Sequence, residues 1–460
     1  MIERNLKDFF TNKKILILGF GREGESTYGF LRKLLPDFHI GIADRRSSII
    51  DDFKNKFGSD ERVSFFVDER YLESLQEYDL VIKSPGISYK VLPKATKLPV
   101  ITSQTELFIK LFRDRIVGVT GSKGKSTTSS LIYHILQQAK QDVVFVGNIG
   151  VPPFERVEKI NPGSWIVYEL SSHQLEHIKV SPHISVLLNV FQEHLDHYNS
   201  YVDYQNAKFN IARFQHPDDY CIFNAGNKLI LELVEKNKLS SKLYAFGEKP
   251  YGEKYCFLSG SNFVFYDGET LKNIDSKLKL TGRHNLYNTM SAVIACRITG
   301  VDAKTIIDGI SSFTGLPHRL EYIGRYGGVD YYNDSIATIP EAAIEAINSV
   351  PTLATVILGG HDRGVEYSEL ANCLISSELE NVILTGKAGS RILNIIKTLS
   401  VKSQVSIYFV ESFDEAVKKS IKLTPTGKAC LLAPAAASYD AFRNFEERGE
   451  RFREIVKGNE

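Results

Sequence analysis

The sequence predicts an α/β fold, in which helices cover sheets of mainly parallel strands. Short apolar runs of strand length alternate with helical patterns along most of the chain, and this alternation is typical of βαβ units. Glycine-rich turns follow several of the runs, and parallel sheets bind ligands where their strands end in such turns. The length of 460 residues suggests about three domains, and the 43% hydrophobic content is enough for several cores.

The composition argues against several functional classes. The 56 Lys and Arg residues nearly balance the 55 Asp and Glu residues, so no net field attracts nucleic acid or an anionic membrane. The five cysteines lack metal-ligand spacing and a disulfide framework. Residues 1–14 lack the apolar core of a signal peptide, and no apolar run is long enough to span a bilayer. We therefore expect a soluble cytoplasmic protein.

The N-terminal segment carries a dinucleotide-binding pattern. An apolar strand over residues 14–18 leads into GFGREG (19–24) and a helical run through Leu35, which is GxGxxG in its usual setting. A second strand over residues 39–43 ends in Asp44, at the distance expected for a ribose-binding acid. By itself, this pattern predicts a dinucleotide dehydrogenase.

A third strand extends the same predicted sheet. It covers residues 79–83 and ends in the turn SPGI (84–87). Because parallel strands end at one edge of a sheet, we expect this turn, the glycine turn and Asp44 to lie at the same edge. Residues 98–104 are predicted to be a linker to the next segment.

The central segment begins with a phosphate-binding pattern. A strand over residues 116–119 leads into TGSKGKST (120–127) and a helix with one apolar face. Glycines let the backbone approach a polyphosphate, and the helix start presents N–H groups to it. Lys125 is predicted to reach the outer phosphates and Ser126 to bind Mg²⁺. The turn begins at Gly121, later than in the general pattern. We interpret the motif as a nucleoside triphosphate site.

Two strands that follow end in candidate metal ligands. Residues 165–168 form a buried-strand pattern that ends in Glu169, where a second Mg²⁺ ligand is needed. Another strand, over residues 184–188, leads into EHLDH (193–197). Within it, His194 is interpreted as a ligand or neighbour of Mg²⁺. A transition-metal site and a plain loop histidine are the alternatives.

The residues alone do not decide the interpretation of two further patterns in this segment. Lys208 lies on the apolar face of a predicted helix, and such a lysine usually extends its ammonium into water. Asn285 and Asn288 lie near the start of a long helix, where they are either caps or ligand contacts.

The third segment again alternates strands with helices. Its strands are predicted over residues 329–332, 355–358, 381–384, 406–410 and 429–432. Polar or small residues follow several of them, so the turns are expected to gather at strand carboxyl ends. This pattern predicts a third α/β unit.

The order of the motifs resembles that of the Mur ligases, the ATP-dependent amide-forming enzymes of peptidoglycan precursor synthesis. The motifs are TGSKGKST, GNIG, YELSSHQLE, NVFQEHLDHY, GRHNLYN, LPHRLE, YYNDSIAT, LGGHDRG and LAPAAASYDAFRNFEERG. The late glycine of the phosphate loop is the family's own form. The resemblance implies three domains: a UDP-binding Rossmann-like domain (1–103), a central P-loop ATPase-type domain (104–315) and a Rossmann-like domain that binds the amino acid (316–460).

The resemblance also implies an activity in cell wall biogenesis. It is strongest to members that add D-glutamate to UDP-N-acetylmuramoyl-L-alanine through an acyl phosphate, with ATP as co-substrate and Mg²⁺ as cofactor. The first domain then holds uridine diphosphate instead of a dinucleotide. No nucleic-acid or membrane partner is implied, and we expect a monomer.

Site residues follow from the resemblance, position by position. The implied catalytic residues are Lys125, Glu169, His194, Lys208 and Arg319. ATP contacts are implied for Gly121, Ser122, Lys123, Gly124, Lys125, Ser126, Thr127, Thr128, Asn285, Asn288, Arg319 and Asp334. Metal contacts are implied for Ser126, Glu169, His194 and Lys208, the last in a carbamylated form. Contacts with the sugar nucleotide are implied for Gly19, Phe20, Gly21, Asp44, Arg45, Gly86, Asn148 and His194, and contacts with glutamate for Thr338, Arg363, Ser438 and Phe445.

Two positions depart from the family pattern. Ile336 stands where the family has a lysine, and Arg363 replaces another lysine with a planar cation. A Mur-type ligase for a different amino acid, such as L-glutamate, therefore remains an alternative. A non-catalytic nucleotide-gated binding protein is the second. A folylpolyglutamate synthase is a third, but the additional GxGxxG segment argues against it.

Overall fold

The structure, a computed structural model, describes residues 7, 9–93, 99–147, 151–191, 197–280, 283–399 and 405–458. The chain divides into two compact units, Met1–Phe313 and Thr314–Glu460. The described residues form a mixed α/β fold with three sheets, two in the first unit and one in the second.

The first sheet has five parallel strands in the order β3-β2-β1-β4-β5. They are β1 (Ile15–Leu18), β2 (Ile40–Asp44), β3 (Val63–Val67), β4 (Leu80–Lys83) and β5 (Val100–Thr102). The longer helices of this part are Arg22–Leu34, Ile49–Phe57 and Gln104–Phe112. The three predicted strands are confirmed, and so is the common edge at which β1, β2 and β4 end.

The predicted linker over residues 98–104 is wrong in its described part. Val100–Thr102 is strand β5 and pairs in parallel with β4. Gln104 then begins a helix, whose cap is the Ser103 hydroxyl accepting from the Glu106 N–H. A strand of three residues is too short for an alternating pattern to be recognised.

The second sheet has nine strands in the order β14-β13-β12-β11-β10-β9-β6-β8-β7. They are β6 (Ile116–Thr120), β7 (Val143–Gly147), β8 (Trp165–Glu169), β9 (Ile184–Leu187), β10 (Tyr220–Asn224), β11 (Lys242–Gly247), β12 (Tyr255–Ser259), β13 (Asn262–Phe265) and β14 (Thr270–Leu271). Only the pairings β12–β13 and β13–β14 are antiparallel. The three predicted strands β6, β8 and β9 are confirmed, and they are neighbours in the sheet.

Helices cover both faces of the second sheet. They are Lys125–Gln138, Ser172–Leu175, Tyr201–Arg213, Lys228–Asn237, Ile274–Lys277, Arg283–Ile298 and Ala303–Ser312. The helix that starts at Lys125 packs against the helix that starts at Arg283, and the apolar side chains of both are buried in one cluster.

A continuous core joins the first two sheets. The helix Gln104–Phe112 contributes Phe108, which packs edge-on against Tyr168 of β8. Phe30 stacks on Phe154, with the ring centroids 4.1 Å apart. Phe108, Phe154 and Tyr168 belong to one buried cluster that spans both sheets, and the partly buried Phe30 packs against it. Residues 1–313 therefore form a single compact unit.

The second unit contains a six-stranded sheet in the order β15-β16-β20-β17-β18-β19. Its strands are β15 (Glu321–Tyr326), β16 (Val329–Asn333), β17 (Leu353–Gly359), β18 (Asn381–Thr385), β19 (Ser406–Val410) and β20 (Ala429–Leu432). Only β15 is antiparallel to its neighbour. The helices are Pro340–Ser349, Ser368–Ser376, Gly386–Thr398, Phe413–Leu423 and Phe445–Lys457. Across the described part of both units, no helix combines the length and apolarity needed to cross a bilayer.

Candidate active site

The glycine turn after β1 is shaped by close backbone contacts. Gly19 has φ +90°, and a Cβ there would lie 2.9 Å from the Cβ of Ser84. A Cβ on Gly24 would lie 2.2 Å from the Gly19 carbonyl oxygen. Larger residues at either position would displace the turn. The Ser84 hydroxyl donates to the Gly19 carbonyl (2.7 Å) and so joins this turn to the turn after β4.

Asp44 braces the glycine turn from the end of β2. Its Oδ2 accepts from the Phe20 N–H at 2.7 Å, and its Oδ1 accepts from the Arg46 N–H at 2.9 Å. Burial raises the pKa of Asp44, but the hydrogen bonds from Arg46 and Phe20 outweigh it and leave the pKa below its ordinary value. The carboxylate thus stays charged and holds the turn in place.

The phosphate loop lies between β6 and the helix Lys125–Gln138. Gly124 has φ +86°, and a Cβ on it would lie 2.3 Å from Oδ1 of Asn288. Asn288 is buried and donates to Oδ1 of Asn285 at 3.1 Å. The structure therefore brings Asn288, with its neighbour Asn285, against the loop. The sequence could not decide between caps and ligand contacts for this pair.

The end of β9 braces the phosphate loop. Asn189 accepts from the Lys123 N–H through its Oδ1 at 2.8 Å, and its Nδ2 donates to the Lys123 carbonyl at 2.9 Å. The Ser122 N–H donates to the Asn189 carbonyl at 2.9 Å. The Ser122 hydroxyl lies 2.7 Å from the Tyr204 hydroxyl. Sequence reasoning missed Asn189 and Tyr204, because nothing in the local pattern shows that they meet the loop.

Two lysines converge on one carbonyl oxygen of the loop. Lys125 Nζ donates to the Gly121 carbonyl at 2.9 Å and to the Ser122 carbonyl at 3.0 Å. Lys208 Nζ donates to the same Gly121 oxygen at 2.8 Å, and Lys208 is only 2% exposed. The residue-based prediction that the Lys208 ammonium extends into water is therefore wrong. Its helix Tyr201–Arg213 turns this face towards the loop, and periodicity alone cannot show which partner an apolar face meets.

The residues beside the loop suit Mg²⁺. Glu169 ends β8, the strand next to β6, and it is completely buried. Its Oε2 lies 3.5 Å from the Ser129 hydroxyl of the loop helix. Ser126, in the first turn of that helix, is also buried. A carboxylate and a hydroxyl are the hard oxygen donors that Mg²⁺ takes alongside water and phosphate, so the residues present fit this ion. Among the described residues, no group of three or more His, Cys, Asp and Glu side chains forms a metal cluster.

A cavity of about 440 Å³ lies in the first unit and is lined by residues from turns and helices that adjoin both of its sheets. Gly86, from the turn after β4, lines it together with Lys125 and Lys208. Further lining residues are Arg22, Glu23, Pro85, Gly147, Pro152, Ser171, Ser172, His173, Gln174 and His197. The structure thus places one predicted sugar-nucleotide contact and two predicted catalytic lysines around the same space.

Several polar side chains of this cavity were not predicted. Glu23 Oε1 accepts from Gln174 Nε2 at 2.7 Å, a contact between the helix that follows β1 and the short helix that follows β8. His197 Nε2 lies 3.0 Å from Glu176 Oε2, and the His173 ring packs edge-on against that of His197. Gln174 and His173 fall within the motif YELSSHQLE, so the motif marked the segment without indicating which side chains face the cavity.

The predicted glutamate-binding residues lie in the second unit. β16, β17 and β20 run parallel and end at one edge of the sheet. Thr338 and Ser438 follow two of these ends. Arg363 Nη2 donates to the Thr338 carbonyl at 2.9 Å. Phe445 begins the last helix, and its carbonyl accepts from the Ser335 hydroxyl at 2.8 Å.

Arg448 holds the turns of this edge together. It is 1% exposed and donates to the Ser335 hydroxyl (3.0 Å), the Ser335 carbonyl (2.9 Å), the Ala436 carbonyl (3.0 Å) and the Ala437 carbonyl (3.2 Å). Burial lowers the pKa of Arg448 to about 10, while Asp440 opposes the shift. Sequence reasoning missed this residue, although it lies in the motif NFEERG.

Asp334, a predicted nucleotide contact, is buried at the end of β16. Its Oδ1 accepts from the Leu320 N–H at 2.9 Å. Burial raises the pKa of Asp334 to about 6, although the Leu320 hydrogen bond and the Arg319 charge lower it. Arg319 itself is exposed, and so is Arg363. Ile336, which stands where the family has a lysine, is half-buried, and its N–H donates to the His318 carbonyl at 3.1 Å.

Two predicted site residues, Asn148 and His194, lie outside the described residues. Of the remaining predicted contacts, Gly21 and Arg45 are exposed. Lys123 belongs to the phosphate loop, and Thr127 lies in the first turn of the helix that follows it. Thr128 is buried in the same helix.

Two family models match most of the chain. The model of the Mur ligase middle domain matches residues 119–296. The model described as Mur ligase, glutamate ligase domain matches residues 318–436. The phosphate loop and Lys208 fall within the first match, and Arg319 and Asp334 within the second.

Relatives resemble the chain over nearly its whole length. The UDP-N-acetylmuramoylalanine--D-glutamate ligase of Acetivibrio thermocellus is 34% identical, and the alignment covers 99% of each chain. The protein of the same name from Geobacillus kaustophilus is 33% identical over 96% of this chain and 97% of its own.

Solved structures share the fold. The UDP-N-acetylmuramate-alanine ligase MurC of Thermotoga maritima matches with a TM-score of 0.53 at 19% identity, covering 98% of this chain and 100% of its own. MurF of Acinetobacter baumannii matches with a TM-score of 0.55 at 19% identity, covering 79% of this chain and 84% of its own.

Proposed function

Because the chain belongs to the Mur ligase family, we propose that it joins D-glutamate to UDP-N-acetylmuramoyl-L-alanine, converting ATP to ADP and phosphate. The product is a precursor of peptidoglycan, and the enzyme is a ligase that forms a C–N bond. Relatives that align with 96% or more of the chain at 32–34% identity carry the name of this activity.

One structural observation carries the proposal. A single cavity of the first unit is lined by Gly86, from the sheet with the GxGxxG turn, and by Lys125 of the phosphate loop. A sugar nucleotide held at the first turn can therefore extend towards a triphosphate held at the second. Both turns are strand-to-helix turns at sheet edges, where ligands of α/β folds bind.

The chemistry has two stages. The alanyl carboxylate attacks the γ-phosphorus of ATP, which gives an acyl phosphate and releases ADP. The amino group of D-glutamate then attacks the acyl carbon, and phosphate leaves with the electron pair of the C–O bond. In the first stage, Lys125 places positive charge beside the phosphates, and the N–H groups at the helix start bind them.

Mg²⁺ would be held by Ser126 and Glu169, and when bound it offsets the negative charge of the phosphate oxygens. We also assign Lys208 to this centre as a carbamate. Two ammonium groups on one carbonyl oxygen repel each other. Carbamylation would turn one of them into an anion and so provide a ligand for the metal ion.

The second unit supplies the amino-acid site and further nucleotide contacts. We assign Thr338, Arg363, Ser438 and Phe445 to D-glutamate, and Arg319 and Asp334 to ATP. Arg363 is exposed and is anchored by the Thr338 carbonyl, so its guanidinium can pair with a glutamate carboxylate. Arg363 thus supplies a positive charge at the sheet edge where Ile336 stands in place of the family's lysine.

We further propose the domain boundaries 1–103, 104–315 and 316–460, with Rossmann-like first and third domains and a P-loop central domain. Each range contains one sheet of its own, which supports this division. We also propose that the protein is a monomer and that it is cytoplasmic, the latter because ATP and the nucleotide-linked precursor are cytoplasmic metabolites.

Phosphate release tests the proposal. The purified protein is incubated with ATP, Mg²⁺ and UDP-N-acetylmuramoyl-L-alanine, and a panel of D- and L-amino acids is added one at a time. We expect release with D-glutamate alone. Release with L-glutamate instead would favour the alternative specificity, and release with none of them would favour the nucleotide-gated binding protein.

A further inference from the structure

We propose that Glu23 is a specificity-determining residue whose free oxygen accepts a hydrogen bond from the N-acetylmuramoyl group of the sugar nucleotide. This inference rests on the proposed substrate. It concerns a side chain that lies within the GFGREG turn but was not among the predicted contacts.

The Glu23 carboxylate is only half satisfied by the chain. Its Oε1 accepts from Gln174 Nε2 at 2.7 Å. Its Oε2 has no exposed surface and no hydrogen-bond partner among the described residues. A buried acceptor without a donor is costly, by roughly 1–3 kcal/mol, and such groups in native proteins call for an explanation. Both Glu23 and Gln174 line the cavity, so a ligand bound there supplies the missing donor once the Glu23 carboxyl group turns its Oε2 towards the ligand.

The charges around the cavity restrict what that ligand group can be. Burial raises the pKa of Glu23, while the Gln174 hydrogen bond and the charges of Lys83 and Arg22 oppose this shift. In its ionised form, the Glu23 carboxylate repels phosphate and carboxylate groups, which carry no proton at neutral pH. A hydroxyl or an amide N–H can donate to it instead. Arg22, Lys125 and Lys208 line the same cavity and provide for the anionic parts of a substrate. Glu23 is therefore matched to a neutral donor.

The position of Glu23 in the cavity indicates that the glycosyl part of the substrate supplies this donor. The cavity contains Gly86, where we place the uridine diphosphate, and Lys125 and Lys208, where we place the reacting carboxylate. The N-acetylmuramoyl group connects these two parts and carries free hydroxyls and an acetamido N–H. It is the portion of the substrate that can place a donor beside Glu23 Oε2.

Glu23→Gln tests the inference with little change of shape. The new carboxamide can keep its oxygen on Gln174, which leaves its NH₂ group in the place of Oε2. A donor then faces the donor of the ligand. Glu25→Gln is the matched control, because Glu25 lies on the same helix and pairs with Lys56 (2.5 Å) instead of lining the cavity.

Calorimetric binding of UDP-N-acetylmuramoyl-L-alanine and of UDP is measured for the wild type and both variants, without ATP. We expect Glu23→Gln to weaken binding of the full sugar nucleotide by at least about tenfold, and to leave UDP binding within about twofold. Glu25→Gln should bind both as the wild type does. Thermal unfolding midpoints for all three proteins separate this effect from a loss of stability.

Unchanged binding of the sugar nucleotide by Glu23→Gln overturns the inference, and so does an equal loss for UDP, since the donor would then lie on the uridine part. The readout does not depend on catalysis. If the wild-type protein binds the sugar nucleotide but forms no product, the proposed function is contradicted, and the binding of the variants can still be compared. A wild type that does not bind it overturns both.

Discussion

Lys125 is the residue on which the phosphate site depends most directly. It donates to two carbonyl oxygens of its own loop, so its ammonium is already positioned where the triphosphate is expected. We predict that Lys125→Ala lowers kcat by about 100- to 1,000-fold, because a preorganised charge at the transferring phosphate is lost. The circular dichroism spectrum should remain that of the wild type. Lys228→Ala, at a side chain that is 92% exposed, is the control, and near-normal turnover of Lys125→Ala would contradict the assignment.

Lys208 gives a second prediction at the scale of one residue. If it is carbamylated, wild-type protein equilibrated with ¹³C-labelled bicarbonate will show a carbamate carbon signal in its NMR spectrum, and Lys208→Gln will lack it. Removal of carbon dioxide should lower activity, and added bicarbonate should restore it. Equal carbamate signals in the two proteins would exclude Lys208 as the modified residue.

Asp334 connects function to stability through its pKa. Burial raises the pKa to about 6, above that of the unfolded chain, so the folded state binds more protons between about pH 4 and pH 6. Stability therefore falls as the pH rises through this range. Asp334→Asn cannot ionise and keeps an acceptor for the Leu320 N–H. We expect it to be more stable than the wild type by about 1–3 kcal/mol at neutral pH.

Thermal unfolding at about pH 7 and about pH 4 measures this difference, which should shrink at the lower pH. Asp330→Asn, at a partly exposed position of β16, serves as the control. A variant that is less stable than the wild type at neutral pH would show that the buried charge is compensated in the folded state.

The sequence predicted residues whose role depends on local geometry and missed those whose role depends on contacts distant in the chain. Lys125 and Ser126 belong to one strand-to-helix turn, and so the local pattern was enough to predict where they lie. Glu23 meets Gln174 across 151 positions, and neither residue has a local pattern that shows the contact. Lys208 was misjudged from its residues for the same reason, since its partner, Gly121, is 87 positions away.

At the scale of elements, the phosphate loop is held by the end of β9 as well as by its own strand and helix. Asn189 pairs with both backbone groups of Lys123. We predict that Asn189→Ala raises the KM for ATP about tenfold, because two loop groups lose their partners. The KM for the sugar nucleotide should change less than about twofold. Asn237→Ala, which loses only a helix-end contact with Leu233, is the control, and equal changes in both KM values would point to general loosening.

Strand prediction succeeded where apolar runs were compact. β1, β6 and β8 are four- or five-residue strands whose side chains are nearly all buried, so their sequences are continuous apolar runs. β3 and β15 are only partly buried, and their mixed composition gave no clear signal. Strands β10 to β14, which form the other side of the second sheet, were not predicted. Of these, β13 and β14 are only four and two residues long, too short for an alternating pattern to be recognised.

At the scale of the whole molecule, the chain consists of two compact units, and the predicted site residues fall in both. The sequence could predict three α/β segments, because each contains its own series of strands. It could not predict that the first two form one unit. That property follows from the shared core around Phe108 and Phe154, which assembles only when distant segments pack.

The central claim is that this chain activates a carboxylate as an acyl phosphate before the amide bond forms. The most direct test uses UDP-N-acetylmuramoyl-L-alanine labelled with ¹⁸O in its alanyl carboxylate, together with ATP, Mg²⁺ and D-glutamate. Because the attacking oxygen stays with phosphorus when the amine displaces phosphate, each phosphate released is predicted to carry one ¹⁸O atom, in step with amide formation. Unlabelled phosphate, released while both substrates remain unjoined, would contradict the account.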